Sequence, residues 1–184
     1  CPAKKAQLDR DKALEVVFSE DPSHFITMKG PGNLQGDFIS AEEAIGLLEQ
    51  LRVKSCKWEA RKKAVGNPRR AWGDRKAWEA TQKVVGNAST RRGNIEKDRN
   101  HLWTRRIAER AKLWSCGRVI VGAFPDNLFG EPWGWHQFKS FLEYKISELG
   151  GSLYRTCPEC GEHFEGKGNF CGERKCLNSK KKVA

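Results

Sequence analysis

Apolar and polar residues alternate between positions 13 and 29, the period-two pattern of strands buried on one face. Two strands are predicted, Ala13-Leu14-Glu15-Val16-Val17-Phe18 and His24-Phe25-Ile26-Thr27-Met28, joined by the turn Ser19-Glu20-Asp21-Pro22-Ser23. Gly30-Pro31-Gly32-Asn33 then breaks the chain. Ser40-Ala41-Glu42-Glu43 fits a capping box, with Ser40 as N-cap and Glu43 reaching back, and Ile45, Leu48 and Leu51 follow on one helical face. Gly66-Asn67-Pro68 is predicted to end that helix and to start another, with Pro68 at its first position. Gly86-Asn87 is predicted to be a second break. Trp58-Glu59-Ala60 to Val65-Gly66-Asn67 is echoed twenty residues later by Trp78-Glu79-Ala80 to Val85-Gly86-Asn87; two copies indicate similar helix ends, not a repeat fold. A further helix is expected over 94–114, with Trp103, Ile107, Ala111 and Trp114 sharing a face. Arg118 to Phe124 reads as a buried strand. A loop with Pro125-Asp126-Asn127 and Gly130-Glu131-Pro132 follows. The helix 134–149 turns Trp135, Phe138, Phe141 or Leu142, and Leu149 inward before Gly150-Gly151 stops it. Strands, helices, then strand and helix again make an α/β fold.

At 184 residues the chain suffices for one core, or one core with a small appendage. No apolar run approaches the roughly 18–20 residues of a membrane span. The longest, Val119 to Phe124, is strand-sized, and Cys-Pro-Ala-Lys-Lys at the start has no apolar signal region. A cytoplasmic protein without membrane contact is expected. The net charge of +11 is unevenly spread: residues 1–50 carry −4, residues 51–118 carry +14 and residues 119–184 carry +1. The basic stretch also holds Trp58, Trp72, Trp78, Trp103 and Trp114. Each tryptophan by itself reads as a core anchor. The block as a whole points to nucleic acid, because clustered cations bind phosphate by counterion release and self-repel without it. The candidate phosphate contacts are Lys57, Arg61, Lys62, Arg69, Arg70, Arg75, Lys76, Arg91, Arg92, Arg105 and Arg106.

Near the C-terminus, Cys157-Pro158-Glu159-Cys160-Gly161 is a Cys-x-x-Cys turn, and Cys171-Gly172-Glu173-Arg174-Lys175-Cys176 supplies a second pair. Four thiolates on two such turns match tetrahedral structural zinc. His163 is a lesser alternative ligand. A tail this short buries too little apolar surface to fold alone, so the metal would supply most of its stability. A closed four-thiolate shell leaves no open position for catalysis. Cys1, Cys56 and Cys116 have no partner spacing and read as inert. Lys180-Lys181-Lys182 with Arg174-Lys175 reads equally well as a phosphate clamp and as a basic terminus without structure.

His101-Leu102-Trp103-Thr104-Arg105-Arg106-Ile107 resembles the His-x-x-Ser-Arg-x-Ile helix of the transposon-encoded TnpB nucleases and the related type V CRISPR effectors. Val119-Ile120-Val121 resembles the strand that follows it. Gly134-Trp135-His136-Gln137-Phe138 through Phe141-Leu142-Glu143-Tyr144-Lys145 and Gly150-Gly151 resembles the segment leading to that family's zinc ribbon, and Thr156-Cys157-Pro158-Glu159-Cys160-Gly161 resembles the ribbon's start. The resemblance covers about residues 94–176. It implies a RuvC-like, RNase H-type α/β domain over residues 1–152, with a basic Trp-rich helical region at 41–116. Residues 153–184 would be a four-cysteine zinc ribbon with a basic tail. It also implies guide RNA and DNA as partners, and three carboxylates holding two divalent metals for cleavage.

This chain departs from the carboxylate pattern. The second acid should follow Val121, where Gly122 and Ala123 stand. The third should follow Cys176, but no acid occurs from Leu177 to Ala184. Asp9 is a weak candidate for the first, and Asp126 and Glu131 for substitutes. The expected function is therefore RNA-guided DNA binding without cutting, by a C-terminal part or by one subunit of a split effector completed by a second protein chain. Two alternatives remain: a Mg²⁺-dependent endonuclease using Asp9, Asp126 and Glu131, and a viral or phage-type zinc-ribbon protein binding RNA or DNA without a guide.

Overall fold

The computed structural model describes residues 8–32, 36–65, 75–157 and 160–165. The predicted break at Gly66-Asn67-Pro68, the basic residues Arg69 and Arg70, Trp72, the predicted ligands Cys171 and Cys176, and the tail lysines lie outside the described residues. Strands β1 (Asp9–Phe18), β2 (Ile26–Lys29) and β3 (Asp37–Ile39) lead into helices α1 (Glu42–Val65) and α2 (Arg75–Leu113). Strand β4 (Cys116–Val121), helix α3 (Trp135–Glu148) and strands β5 (Ser152–Thr156) and β6 (His163–Phe164) follow. The sheet order is β3-β2-β1-β4-β5-β6. β1–β2, β2–β3 and β5–β6 are antiparallel, whereas β1–β4 and β4–β5 are parallel. The chain divides into two compact units. One comprises Cys1–Ala41 with Asn100–Ala184 and carries the sheet; the other is Glu42–Arg99.

In the sheet unit the alternation expected for β1 buries Leu14 and Val16 and leaves Glu15 and Val17 outside. β4 lies centrally, and Val119, Ile120 and Val121 are all buried, as a strand covered on both faces requires. α3 turns Phe138, Leu142 and Ile146 inward. Trp103, Ile107 and Ala111 of α2 are buried as their spacing predicts, and Trp114 is half-buried. The pairing of β1 with β4 jumps from Asp9↔Cys116 to Ala13↔Arg118, so β1 carries a bulge. Gly117 sits at that jump. A Cβ there would fall 2.6 Å from the Asp9 carbonyl oxygen, so no larger residue fits without moving backbone.

Two local expectations are corrected. Gly86-Asn87 does not break the helix: α2 runs unbroken for 39 residues, about 58 Å. A mid-helix glycine costs only about 1 kcal/mol relative to alanine, and Thr90 Oγ1 donates to the Gly86 carbonyl at 3.2 Å within the continuing ladder. Glu43, expected to reach back to Ser40, instead takes a two-pronged ion pair from Arg99 at 2.5 and 2.6 Å, while the Ser40 hydroxyl donates to the Pro22 carbonyl at 3.2 Å. A fork-to-carboxylate pair is stronger than the weak backbone bond it displaces.

Candidate nucleic-acid interface

In the helical unit, Lys57 on α1 and Lys76 and Arg91 on α2 are exposed. Arg61 and Lys62 lie in α1 and Arg75 in α2. Arg92 is half-buried and pairs with Glu96 at 3.0 Å. Trp58 and Arg91 share a cleft of about 160 Å³ with Lys54, Asn87 and Val84, so an aromatic ring stands among cations and an amide. Lys54 was not among the predicted contacts. It emerges only because α1 and α2 bring positions 54, 58, 87 and 91 together.

In the sheet unit, Arg105 and Arg106 project from α2. Arg105 pairs with Glu109 at 2.8 Å, whereas Arg106 lines a shallow cleft of about 310 Å³ with Arg110, Asp37 and Glu109. On the same helix His101 stacks on Phe141, with centroids 4.2 Å apart. Lys145 of α3 donates to the His101 carbonyl at 2.9 Å and to Thr104 Oγ1 at 2.7 Å, and lies 3.0 Å from His101 Nδ1. Burial pushes the Lys145 ammonium below its ordinary value; Arg105 adds to that and Glu148 opposes it. These bonds tie the His-x-x-Thr-Arg turn of α2 to α3. Its buried face therefore has a structural role, and Arg105 and Arg106 remain outward.

The parallel strands β1 and β4 both end at a cavity of about 530 Å³ lined by Ser19, Glu20, Phe25, Phe124, Asp126 and Phe129, among others. Behind it lies an aromatic cluster. Phe124 stacks on Trp135 at 5.6 Å, Phe25 meets Trp103 at 5.5 Å, and Trp103 stacks on Trp133 at 5.3 Å. Of the three weak acidic candidates only Asp126 lines this cavity. Asp9 begins β1, opposite Cys116 at the start of β4, and so stands at the other end of the sheet. Its carboxylate accepts from its neighbour Asp11 N–H at 3.0 Å and pairs with Lys12 at 3.5 Å. Glu131 is half-buried, and its backbone bridges to Leu128. The acid that does share the cavity with Asp126 is Glu20, which sequence reasoning placed in a turn. At the end of β4, Gly122 donates to the Val16 carbonyl at 2.9 Å, and a Cβ built on it would meet only ordinary contacts, the nearest at 3.4 Å. The glycine is therefore not sterically required there.

At the far edge of the sheet, β5 and β6 form a hairpin that begins the Cys-x-x-Cys turn. Cys157 N–H donates to the Glu162 carbonyl at 2.8 Å, and Gly161 N–H donates to the Cys157 carbonyl at 2.9 Å. Gly161 has φ +75°, a conformation in which glycine is the favoured residue. Cys157 is buried and Cys160 exposed. His163 is exposed, with Nδ1 3.3 Å from Thr156 Oγ1. Cys157 and Cys160 are the two of the four predicted zinc ligands that lie among the described residues.

No family model and no curated protein matches this sequence. Among the solved structures that resemble the fold are two cryo-EM complexes. One is a complex of Cas12f1 with sgRNA and target DNA, with TM-score 0.57 and 11% identity over 84% of this chain and 40% of that one. The other is a CRISPR–Cas12f ternary complex, with TM-score 0.65 and 12% identity over 100% of this chain and 36% of that one. The fold is Cas12f-like. The chain spans about two fifths of the length of these Cas12f neighbours. Within the described residues of this Cas12f-like fold no helix is long and apolar enough to cross a membrane.

Proposed function

We propose that this chain binds RNA and DNA in the manner of an RNA-guided effector related to TnpB and Cas12f, and holds its targets without cutting them. The observation that carries the reading is the combination of a Cas12f-like fold with a +14 block of residues confined to 51–118. In this reading Lys57, Arg61, Lys62, Arg69, Arg70, Arg75, Lys76, Arg91, Arg92, Arg105 and Arg106 track phosphates, and base pairing to a guide supplies sequence specificity. Because Arg92 and Arg105 are already paired with Glu96 and Glu109, they contribute less than Arg91 and Arg106. A second protein chain would complete the effector.

The sheet is then a RuvC-like domain, and its order, with β1 flanked by an antiparallel hairpin and parallel β4, supports that assignment. Cleavage through two metals needs a cluster of carboxylates to hold the ions and orient water. Gly122 at the end of β4 and Asp9 at the opposite end of the sheet favour a site that has lost this function. Cys157, Cys160, Cys171 and Cys176 would hold one structural zinc, tying the β5–β6 hairpin to the tail. That ion would stabilise the ribbon and take no part in chemistry.

The test is to purify the full chain with its cellular partners and sequence the RNA that accompanies it. A single defined structured RNA is expected, together with one zinc per chain by elemental analysis. Heterogeneous RNA, or none, would instead favour a zinc-ribbon binder without a guide. Mg²⁺- or Mn²⁺-dependent cleavage that disappears in Asp126→Ala would replace the non-cutting reading by the nuclease one.

A further inference from the structure

The cavity at the ends of β1 and β4 is absorbed neither by phosphate binding nor by zinc. Its volume of about 530 Å³ lies within the range of small-ligand sites. Three phenylalanines line it: Phe25, 1% exposed, and Phe124 and Phe129, each half-buried. Phe129 is one of two non-glycine residues with positive φ among the described residues, at +50°, followed by Gly130 at +86°. The pair turns the chain between Leu128 and Glu131, whose backbones bond both ways at 2.7 and 3.0 Å. A phenylalanine in the left-handed region is strained. Here it sets the ring 5.5 Å from Phe25, at the cavity wall.

The polar groups at the mouth are as informative. Glu20 and Asp126 are exposed and have no hydrogen-bond or ion-pair partner among the described residues. Asn127 uses its Oδ1 to accept from Gly130 N–H at 2.7 Å, which leaves its amide N–H groups as donors. Two carboxylates repel phosphate, so a nucleotide would enter base first, with its backbone outside. Aromatic walls accept the flat face of any unstacked base. The acids choose among them. A carboxylate has two acceptor oxygens side by side, and guanine alone among the common bases sets two adjacent donors, N1–H and N2–H, along its pairing edge. Adenine and cytosine place a ring-nitrogen lone pair beside their single amino donor, and uracil and thymine set one N–H between two carbonyls. Asn127 can donate to guanine O6 while a carboxylate takes N1–H and N2–H.

We propose that this cavity binds one unstacked guanine of a single-stranded nucleic acid. It rests on the nucleic-acid reading above and adds to it a base-specific subsite outside the basic helices. The test measures binding of the full chain to a labelled oligothymidine of about nine nucleotides carrying one central guanine, against the same strand with a central adenine, by fluorescence anisotropy. The guanine strand is expected to bind about fivefold tighter or more, the discrimination of one good two-pronged base contact. The double variant Glu20→Gln/Asp126→Asn, changed only at exposed side chains, is expected to bind both strands equally. Equal binding of the two strands by the unmodified chain would overturn the guanine site while leaving the basic helices as binders. Guanine preference that survives the double variant would overturn it as well. Binding of neither strand would remove both this site and the nucleic-acid reading on which it rests.

Discussion

In the sheet unit, Leu14, Val16, Val119 and Phe138 are wholly enclosed; between Glu42 and Arg99, Ala44 and Leu48 are the only buried side chains among those described. The helical unit carries instead a dense set of charges, held in part by pairs such as Glu49–Arg52 at 2.8 Å, Arg92–Glu96 and Glu43–Arg99. Exposed pairs of this kind contribute about 0–1 kcal/mol each, far less than burial of a large apolar side chain. The contrast separates two uses of aromatic residues. Trp103 is 2% exposed and anchors a core, whereas Trp58 is half-buried beside Lys54 and Arg91. One unit commits its hydrophobic residues to its own interior; the other presents cations and part of a ring to whatever neutralises them.

Paired truncations test this difference most sharply. Trp103→Ala is expected to destabilise the protein by about 3–5 kcal/mol in denaturant unfolding, whereas Trp58→Ala should cost no more than about 1 kcal/mol. Equal losses would erase the distinction. Next in size is Gly117→Ala, whose methyl would press on the Asp9 carbonyl oxygen and on Arg10 Cα, both backbone. A loss of about 2–3 kcal/mol is expected, and an unchanged melting temperature would mean that the β1 bulge yields easily.

Lys145→Met should come third, at about 1–2 kcal/mol, because it removes the donors that bind the His101 carbonyl and Thr104 Oγ1 and leaves partly buried acceptors behind. The smallest expected effect is on the acid side. The Ser23 backbone N–H, then His24, hold the Asp21 carboxyl below its ordinary 3.8, with burial opposing. The folded state thus favours the charged form. That contribution is complete above 3.8 and is lost as pH falls through the lower folded value. The difference in melting temperature between the unmodified protein and Asp21→Asn should therefore shrink below pH 3.8 and vanish once the folded carboxyl is protonated. A difference that persists at the acid extreme would contradict the assigned cause.

Elements with a strong repeating pattern were legible from the residues. The alternation at Leu14 and Val16, the Trp103-Ile107-Ala111 stripe and the Phe138-Leu142 face all lie in the elements their spacing predicts. β3 was not legible, because Asp37-Phe38-Ile39 is too short for alternation to show and is held by pairing to β2. Gly86-Asn87 misled because local breaker residues were weighed against a helix whose length outvotes one glycine. β5 is complete in five residues, so the short stretch between Gly151 and Cys157 still supplies a strand beside β4. The cavity was invisible for another reason. Phe25, Phe124 and Phe129 meet there from positions about a hundred residues apart, and only parallel pairing of β1 with β4 brings them together.

That same pairing shapes how the chain must be born. β1 leaves the ribosome well before its neighbour β4, which lies about a hundred residues away, beyond both long helices. At a typical synthesis rate of about 5–20 residues per second, the β1–β3 meander waits for several seconds or more with the edge that β4 will cover unpaired. During that interval α1 and α2, rich in local contacts, can form at once, whereas closure of the sheet belongs to the slow class of long-range pairings. The wait exposes Leu14 and Val16, the most deeply enclosed residues of β1, to any passing strand. Nascent chains stalled before residue 116 should accordingly be the form most prone to aggregate, and the form for which chaperones compete.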